Sequence, residues 1–306
     1  LGYYQEAGNI KKRVLGPQSP KYGSHLANQA TFHYVNQSTD KALTLFAENL
    51  FIQQNHLENY FEQLGEAERD AFYKTVKDHF EQYADFAFRE ANDHPDLLST
   101  VYNLQLRHKA LLLNMSNKIK ARILSSGDRK LIDLYDEVQQ LKQVLGQAAA
   151  LNDEDLLRQR GIKRDSLKQL LESKDEQLTA VSAIYREENK VPVWQDVQAK
   201  LQKGEAAVEI VRFRVYDYRK SKFTDQVKYA ALIVTVKTKQ HPTLVLFEDG
   251  NFLEEKAILR YSKSIEFKLD DPTSYEVFWK PLKPYLKKTK KVYFSPDGVF
   301  HSVNMK

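Results

Sequence analysis

One stretch constrains this chain more than any other. Gly204 to Val236 reads GEAAVEIVRFRVYD, a polar turn YRKSKFTDQ, then VKYAALIVTV. Ala206 to Val215 and Val227 to Val236 are dominated by Val, Ile, Ala, Phe and Leu. Runs of that length and composition suit strands covered on both faces. Upstream the chain reads as helix; downstream it reads as strand, turn and short helix. The pattern predicts a helical scaffold followed by a sheet-based domain that begins near Ala206.

The chain of 306 residues has length for two domains, and its 42% apolar content is enough to bury real cores. The formal charge of +5 comes from 46 basic and 41 acidic residues, mostly interspersed. Such a pattern describes solvated faces and gives no ground for direct nucleic-acid binding. There are no cysteines. That excludes disulfides, thiolate metal sites and a cysteine nucleophile within these residues. No apolar run has the length needed to cross a bilayer, and LGYYQEAGNIKKR lacks the apolar segment and cleavage site of a signal peptide. A cytoplasmic protein without membrane contact is the expectation. The chain starts without Met and inside a helical pattern, which reads as a fragment.

In order, residues 3 to 14 read as the end of a helix. LGPQSPKYG follows, with Pro17 and Pro20 as punctuation and Ser19 placed to cap the next helix. Tyr22 to Leu50 reads as helix, turn, helix. Ala30 is followed twelve residues on by Ala42, then by Phe46, the spacing of a tetratricopeptide repeat. Gln29 and His33 stand where Leu and Tyr are usual and the turn glycine is missing, so a plain helical hairpin is the alternative. In residues 51 to 92, Leu57, Tyr60, Phe61, Leu64, Phe72, Tyr73, Val76, Phe80, Tyr83 and Phe86 recur at helical spacing and read as a packing stripe. Asp93 and Pro95 break the pattern, and Asp96 caps a long helix to about Ser126. Leu131, Leu134, Val138, Leu141 and Leu145 then form a heptad seam. The SSGD connection predicts an antiparallel hairpin against Leu104, Leu111, Leu112, Met115, Ile119 and Ile123. A further helix starts at Asn152 or Asp153, is interrupted at Gly161, and continues through Leu167, Leu170, Leu171, Leu178, Val181 and Ile184.

At Val191-Pro192-Val193-Trp194 the character changes. A short helix, WQDVQAKLQKGE, leads to the two strands, and a third strand covers Thr243 to Phe247. GNFLEEKAILRY reads as turn and helix or irregular segment. Residues 272 to 286 read as an amphipathic helix, Lys290 to Phe294 as a strand, and Val299 to Val303 as a further short strand. Apolar strands separated by helix point to a parallel-type α/β sheet. The fold class is therefore α + α/β, with helical repeats over 1–92, a helical connector over 93–190 and a sheet domain over 191–306.

WQDVQAKLQKGEAAVEIVRFR, KYAALIVT, LVLFEDG, YEVFWKPLKPYL and KKVYFSPDGVFHSVN, in that order, closely resemble the N-terminal half of a CHAT domain, a caspase-like domain attached to tetratricopeptide repeats. ALLLNMSNKIKARILSSGDRKLIDLYDEVQQLKQVL resembles the helical region that links such repeats to it. The resemblance implies a cysteine endopeptidase regulated by its repeats, with a protein partner on the helical region. Its chemistry is nucleophilic acyl transfer by a Cys and a His, without a cofactor or metal. In the family pattern the His, often in a His-Gly pair, and the later Cys both follow the SPDG turn. No catalytic residue is carried over to this chain. The rest of the domain is expected as further residues or as a second chain after cleavage. The alternative is an interaction scaffold whose CHAT-like domain lacks the catalytic pair.

Ser295, Asp297 and His301 match a serine triad by type, but a triad needs support from separate elements, and three residues around one turn rarely provide it. Turn chemistry is the better role for Pro296-Asp297-Gly298. His25, His33, His56, His79, His94, His108 and His241 show no metal-ligand spacing with carboxylates. No Gly-rich phosphate loop is present. Lys287, Lys288, Lys290 and Lys291 read as a solvated edge, with a partner patch as the alternative. No residue is assigned as catalytic, cofactor-binding or metal-binding.

Overall fold

The computed structural model describes residues 2–61, 64, 66–148, 163–182 and 192–305. The helix start at Asn152 or Asp153, the break at Gly161 and Ile184 lie outside these, and the side chains of Leu112, Met115, Ile119 and Val181 lie outside the described side chains. The chain divides into two compact units, Leu1–Leu50 with Asp78–Lys109 and Val191–Lys306, and Phe51–Lys77 with Ala110–Lys190.

The first unit opens with α1 (Gly2–Leu15) and α2 (Pro20–Val35). Pro20 takes the first helical position, where its missing N–H costs nothing. Ser19 occupies the cap position, but its side chain makes no capping bond; its carbonyl accepts Tyr22 N and Gly23 N at 2.9 and 3.0 Å. Parts of α3 (Thr39–Phe61), α4 (Glu66–Arg89) and α5 (Leu97–Ser126) complete the helical portion. Ala30 and Ala42 are fully buried, and Phe46 packs on Phe86 with ring centroids 4.7 Å apart.

After α8 (Trp194–Lys200) comes a four-stranded sheet. Its strands are β1 (Glu205–Asp217), β2 (Lys222–Thr235), β3 (Thr243–Phe247) and β4 (Lys291–Ser295), in the order β3-β2-β1-β4. β1–β2 and β2–β3 are antiparallel and β1–β4 is parallel. The chain is thus of the α+β class with a mixed sheet, which corrects the parallel-type expectation. The β1–β2 hairpin is closed by Asp217, whose Oδ1 accepts Arg219 N and Lys220 N at 3.1 and 3.0 Å. The central runs of β1 and β2 are mostly apolar because both faces are covered there, a condition that pairing direction does not alter. Ala206, Val208 and Ile210 face an apolar cluster with Tyr229, Phe278, Leu282 and Phe300. The alternate residues turn to the helices, where Phe213 meets Phe88 of α4 with ring centroids 5.0 Å apart.

Residues 250–266 are helical in three pieces: Gly250–Phe252, a π-helical turn Leu253–Ala257, and α9 (Ile258–Glu266). The amphipathic helix expected over 272–286 is broken into Pro272–Ser274, a π-helical turn Tyr275–Trp279 and a 3-10 turn Lys283–Tyr285. Pro281 and Pro284 remove the amide donors that a continuous helix needs. The strand expected at Val299–Val303 is instead part of a 3-10 turn, Gly298–Ser302. Asp297 accepts Gly298 N at its start, and the turn drives Phe300 into the apolar cluster.

In the second unit, α6 (Arg129–Ala148) packs along α7 (Arg164–Ser182). Leu131, Val138, Leu167 and Leu178 are buried, so among the described residues the heptad seam is covered by α7 in place of the hairpin against α5 expected from the sequence, and Lys174 Nζ pairs with Glu137 at 2.9 Å. The turn before α6 is made by Gly127, at φ +67°, and by Asp128, whose Oδ1 accepts Lys130 N at 3.0 Å.

Candidate functional site

The most constructed polar arrangement surrounds the turn Ser295–Gly298, where β4 ends. In an open sheet with helices on both faces, the carboxyl ends of parallel strands are where ligands are bound. β1 lies parallel to β4 with Glu209 opposite Ser295. Glu209 is 2% exposed, a carboxylate in the middle of an apolar run. Lys109 of α5 donates to it, to Ser295 Oγ at 2.8 Å and to the Pro296 carbonyl at 2.9 Å. Burial raises the Glu209 pKa, and the Lys109 ammonium opposes that shift.

The rest of the turn is tied to the sheet. Asp297 Oδ2 accepts Arg212 N at 2.9 Å and Asp297 Oδ1 accepts Gly298 N at 2.8 Å. Tyr229 Oη accepts Val299 N at 3.1 Å and donates to Glu254 Oε1 at 2.7 Å. Glu254 also receives a two-point contact from Arg212, at 2.5 and 3.0 Å. It lies on the π-helical turn Leu253–Ala257, a geometry frequent at functional sites. Gly298 is required here: its φ is +54°, and a Cβ would lie 2.1 Å from Tyr229 Oη.

This arrangement does not bring Ser295, Asp297 and His301 together as a triad. Ser295 Oγ is engaged by Lys109, and the Asp297 oxygens are engaged by backbone amides. His301 is exposed on the 3-10 turn. Asp297 and Gly298 do the turn chemistry expected of them. Sequence reasoning missed Lys109 and Glu209. The available signal was Glu209 itself, the one acid within AAVEIV.

A second pair has a nucleophile–base look by residue type. Ser24 Oγ lies 3.1 Å from His79 Nε2, and Asn49 Nδ2 lies 3.5 Å from His79 Nδ1. Ser24 Oγ donates to the Pro20 carbonyl at 3.0 Å. The hydroxyl therefore accepts from Nε2–H, and Nδ1 carries the lone pair that faces Asn49. Proton flow runs the wrong way for base catalysis. Burial lowers the His79 pKa, with Asp78 opposing, which suits a neutral packing histidine.

A cavity of about 510 Å³ opens beside α9, walled by Tyr261, Tyr275, Phe278 and Trp279 with Asp271 and Met305. Asp271 is committed to local structure. Its carboxylate caps Pro272–Ser274 by accepting Ser274 N at 3.2 Å, and the Ser274 hydroxyl is the main cause of its lowered pKa. Nearby, Ile265, Phe267 and Leu269 are 60–62% exposed.

Among the described residues, no helix is long and apolar enough to cross a membrane. Comparison with protein-family models, with curated proteins and with solved structures finds no match.

Proposed function

We propose that this chain is the regulatory helical scaffold and the N-terminal half of the caspase-like domain of a cytoplasmic cysteine endopeptidase. In this reading a protein partner binds the helical region and thereby aligns or releases the peptidase. The catalytic His and Cys reside in the remaining half of the domain, on the same polypeptide or on a cleaved second chain. No cofactor takes part. The observation that supports the reading is the direct attachment of helical scaffold to sheet. Lys109 of α5 holds Glu209 of β1 and the turn after β4, while Asp78 and Glu81 of α4 receive Arg214 of β1. A scaffold bonded in this way can act on the end of the sheet where a cysteine–histidine pair would be placed.

The test is the intact mass of the parent polypeptide, with peptide mapping past Lys306. A downstream His-Gly pair and Cys, with proteolysis abolished by replacing that Cys with Ala, supports the endopeptidase. A parent polypeptide without that pair leaves the second reading, a partner-binding scaffold without catalysis.

A further inference from the structure

Lys109 is the last α5 residue of the first compact unit, and Ala110, next on the same helix, belongs to the second. An ammonium has three protons. Lys109 has three close acceptors for them: the Glu209 carboxylate, Ser295 Oγ and the Pro296 carbonyl. The other two anchors of the turn, Arg212 N and Tyr229 Oη, come from the sheet. Lys109 is thus the helical scaffold's hold on this turn among the described residues. The same placement recurs on α4. Asp78 is the first α4 residue of the first unit, and with Glu81 it receives Arg214.

We propose that Lys109 is a conformational latch, through which the position of α5 sets the order of the Ser295–Gly298 turn. A hydrogen bond of 2.8 Å is lost when its partners part by little more than about 0.7 Å. Helix shifts in switching proteins are about 1–2 Å. A movement of α5 of ordinary size therefore opens the latch, while the bonds from the sheet remain. This rests on the partner-regulated reading for its purpose, since it names the route by which the scaffold would reach the turn.

The test is backbone amide exchange on the 306-residue chain, comparing residues 296–303 with residues 230–247 of β2 and β3. Lys109→Met is expected to speed exchange in 296–303 at least tenfold more than in 230–247, whose exchange follows the stability of the whole unit. Unchanged exchange in 296–303 overturns the latch, because the sheet bonds then suffice. An equal rise in both segments also overturns it, because Lys109 then supports the whole unit. Lys109→Met with Glu209→Gln keeps the test open if the single variant does not fold. That pair removes the stranded carboxylate, so the latch requires the turn to stay fast; recovered protection would assign the effect to Glu209 and overturn it. None of these results depends on whether a catalytic Cys lies elsewhere, so the latch and the endopeptidase reading fail separately.

Discussion

On one face of the sheet, Ala206, Val208 and Ile210 meet Phe278, Leu282 and Phe300 in an apolar cluster. On the other, the same strand sets Glu209 against Lys109, within a layer where Phe213 packs on Phe88. Apolar contact is strong but has no direction, so it fixes that two layers meet. A buried charge pair is directional and expensive to break, so it fixes where along the strand they meet. One face supplies cohesion and the other supplies position. The turn at the end of β4 is held from both, by Lys109 on the positioned face and by Tyr229 of the apolar cluster on the other.

The largest expected effect tests the cohesive face. Phe300→Ala removes a ring that is 2% exposed and touches Tyr229, Phe247 and Phe278, and should cost about 3–5 kcal/mol in urea unfolding. A cost below about 1 kcal/mol would break the comparison, by showing that the cluster does not extend through the 3-10 turn. Next, Lys109→Met should cost about 3 kcal/mol by stranding Glu209, and Lys109→Met with Glu209→Met should recover most of it. A double variant as unstable as the single would assign the cost to packing and erase the difference between the faces.

The third test is pH. His108 is 5% exposed against Phe80, and burial, with the Arg107 charge second, lowers its pKa to about 3. A lowered folded pKa means that the unfolded chain binds the extra proton. This stability is complete above about pH 6.5 and is lost as pH falls toward 3, with a slope approaching about 1.4 kcal/mol per pH unit. His108→Phe should flatten that part of the profile. Glu209 has the opposite sign: its raised pKa makes its contribution fullest below its unfolded value and loses it as pH rises through the folded one. The smallest effect is on α7, where Lys174→Ala breaks a surface pair with Glu137 and should change stability by about 0.5 kcal/mol or less. A larger loss would mean that burial is not what makes the Lys109 pair costly to break.

Much of the fold is legible in the residues. The Val- and Ile-rich runs of β1 and β2 announce strands covered on both faces, and the heptad of α6 announces a helix with a packing seam. Strand direction is not legible there, because a doubly covered strand has the same composition in a parallel or a mixed sheet. The 3-10 turn at Gly298–Ser302 hides in a short apolar run. Its conformation is set by the Asp297 cap and by the positive φ of Gly298, not by periodicity. Lys109 and Glu209 are separated by 100 positions and sit on unlike elements, so no local pattern joins them. The visible trace was Glu209 within an apolar strand, a break in a local rule of the kind that marks a constrained site.

The parallel pairing of β1 with β4 also bears on the order of folding. The β1–β2 hairpin closes over one short turn, whereas β4 reaches β1 only after β2, β3 and the helical pieces between have been made. Loop-closure entropy delays such distant contacts. The topology therefore predicts that the strand carrying the candidate site is the last of the sheet to be secured. Pulse labelling during refolding should protect the Val299 amide later than the β2 amides of Ala230 and Leu232, and simultaneous protection would show that the sheet closes as one piece.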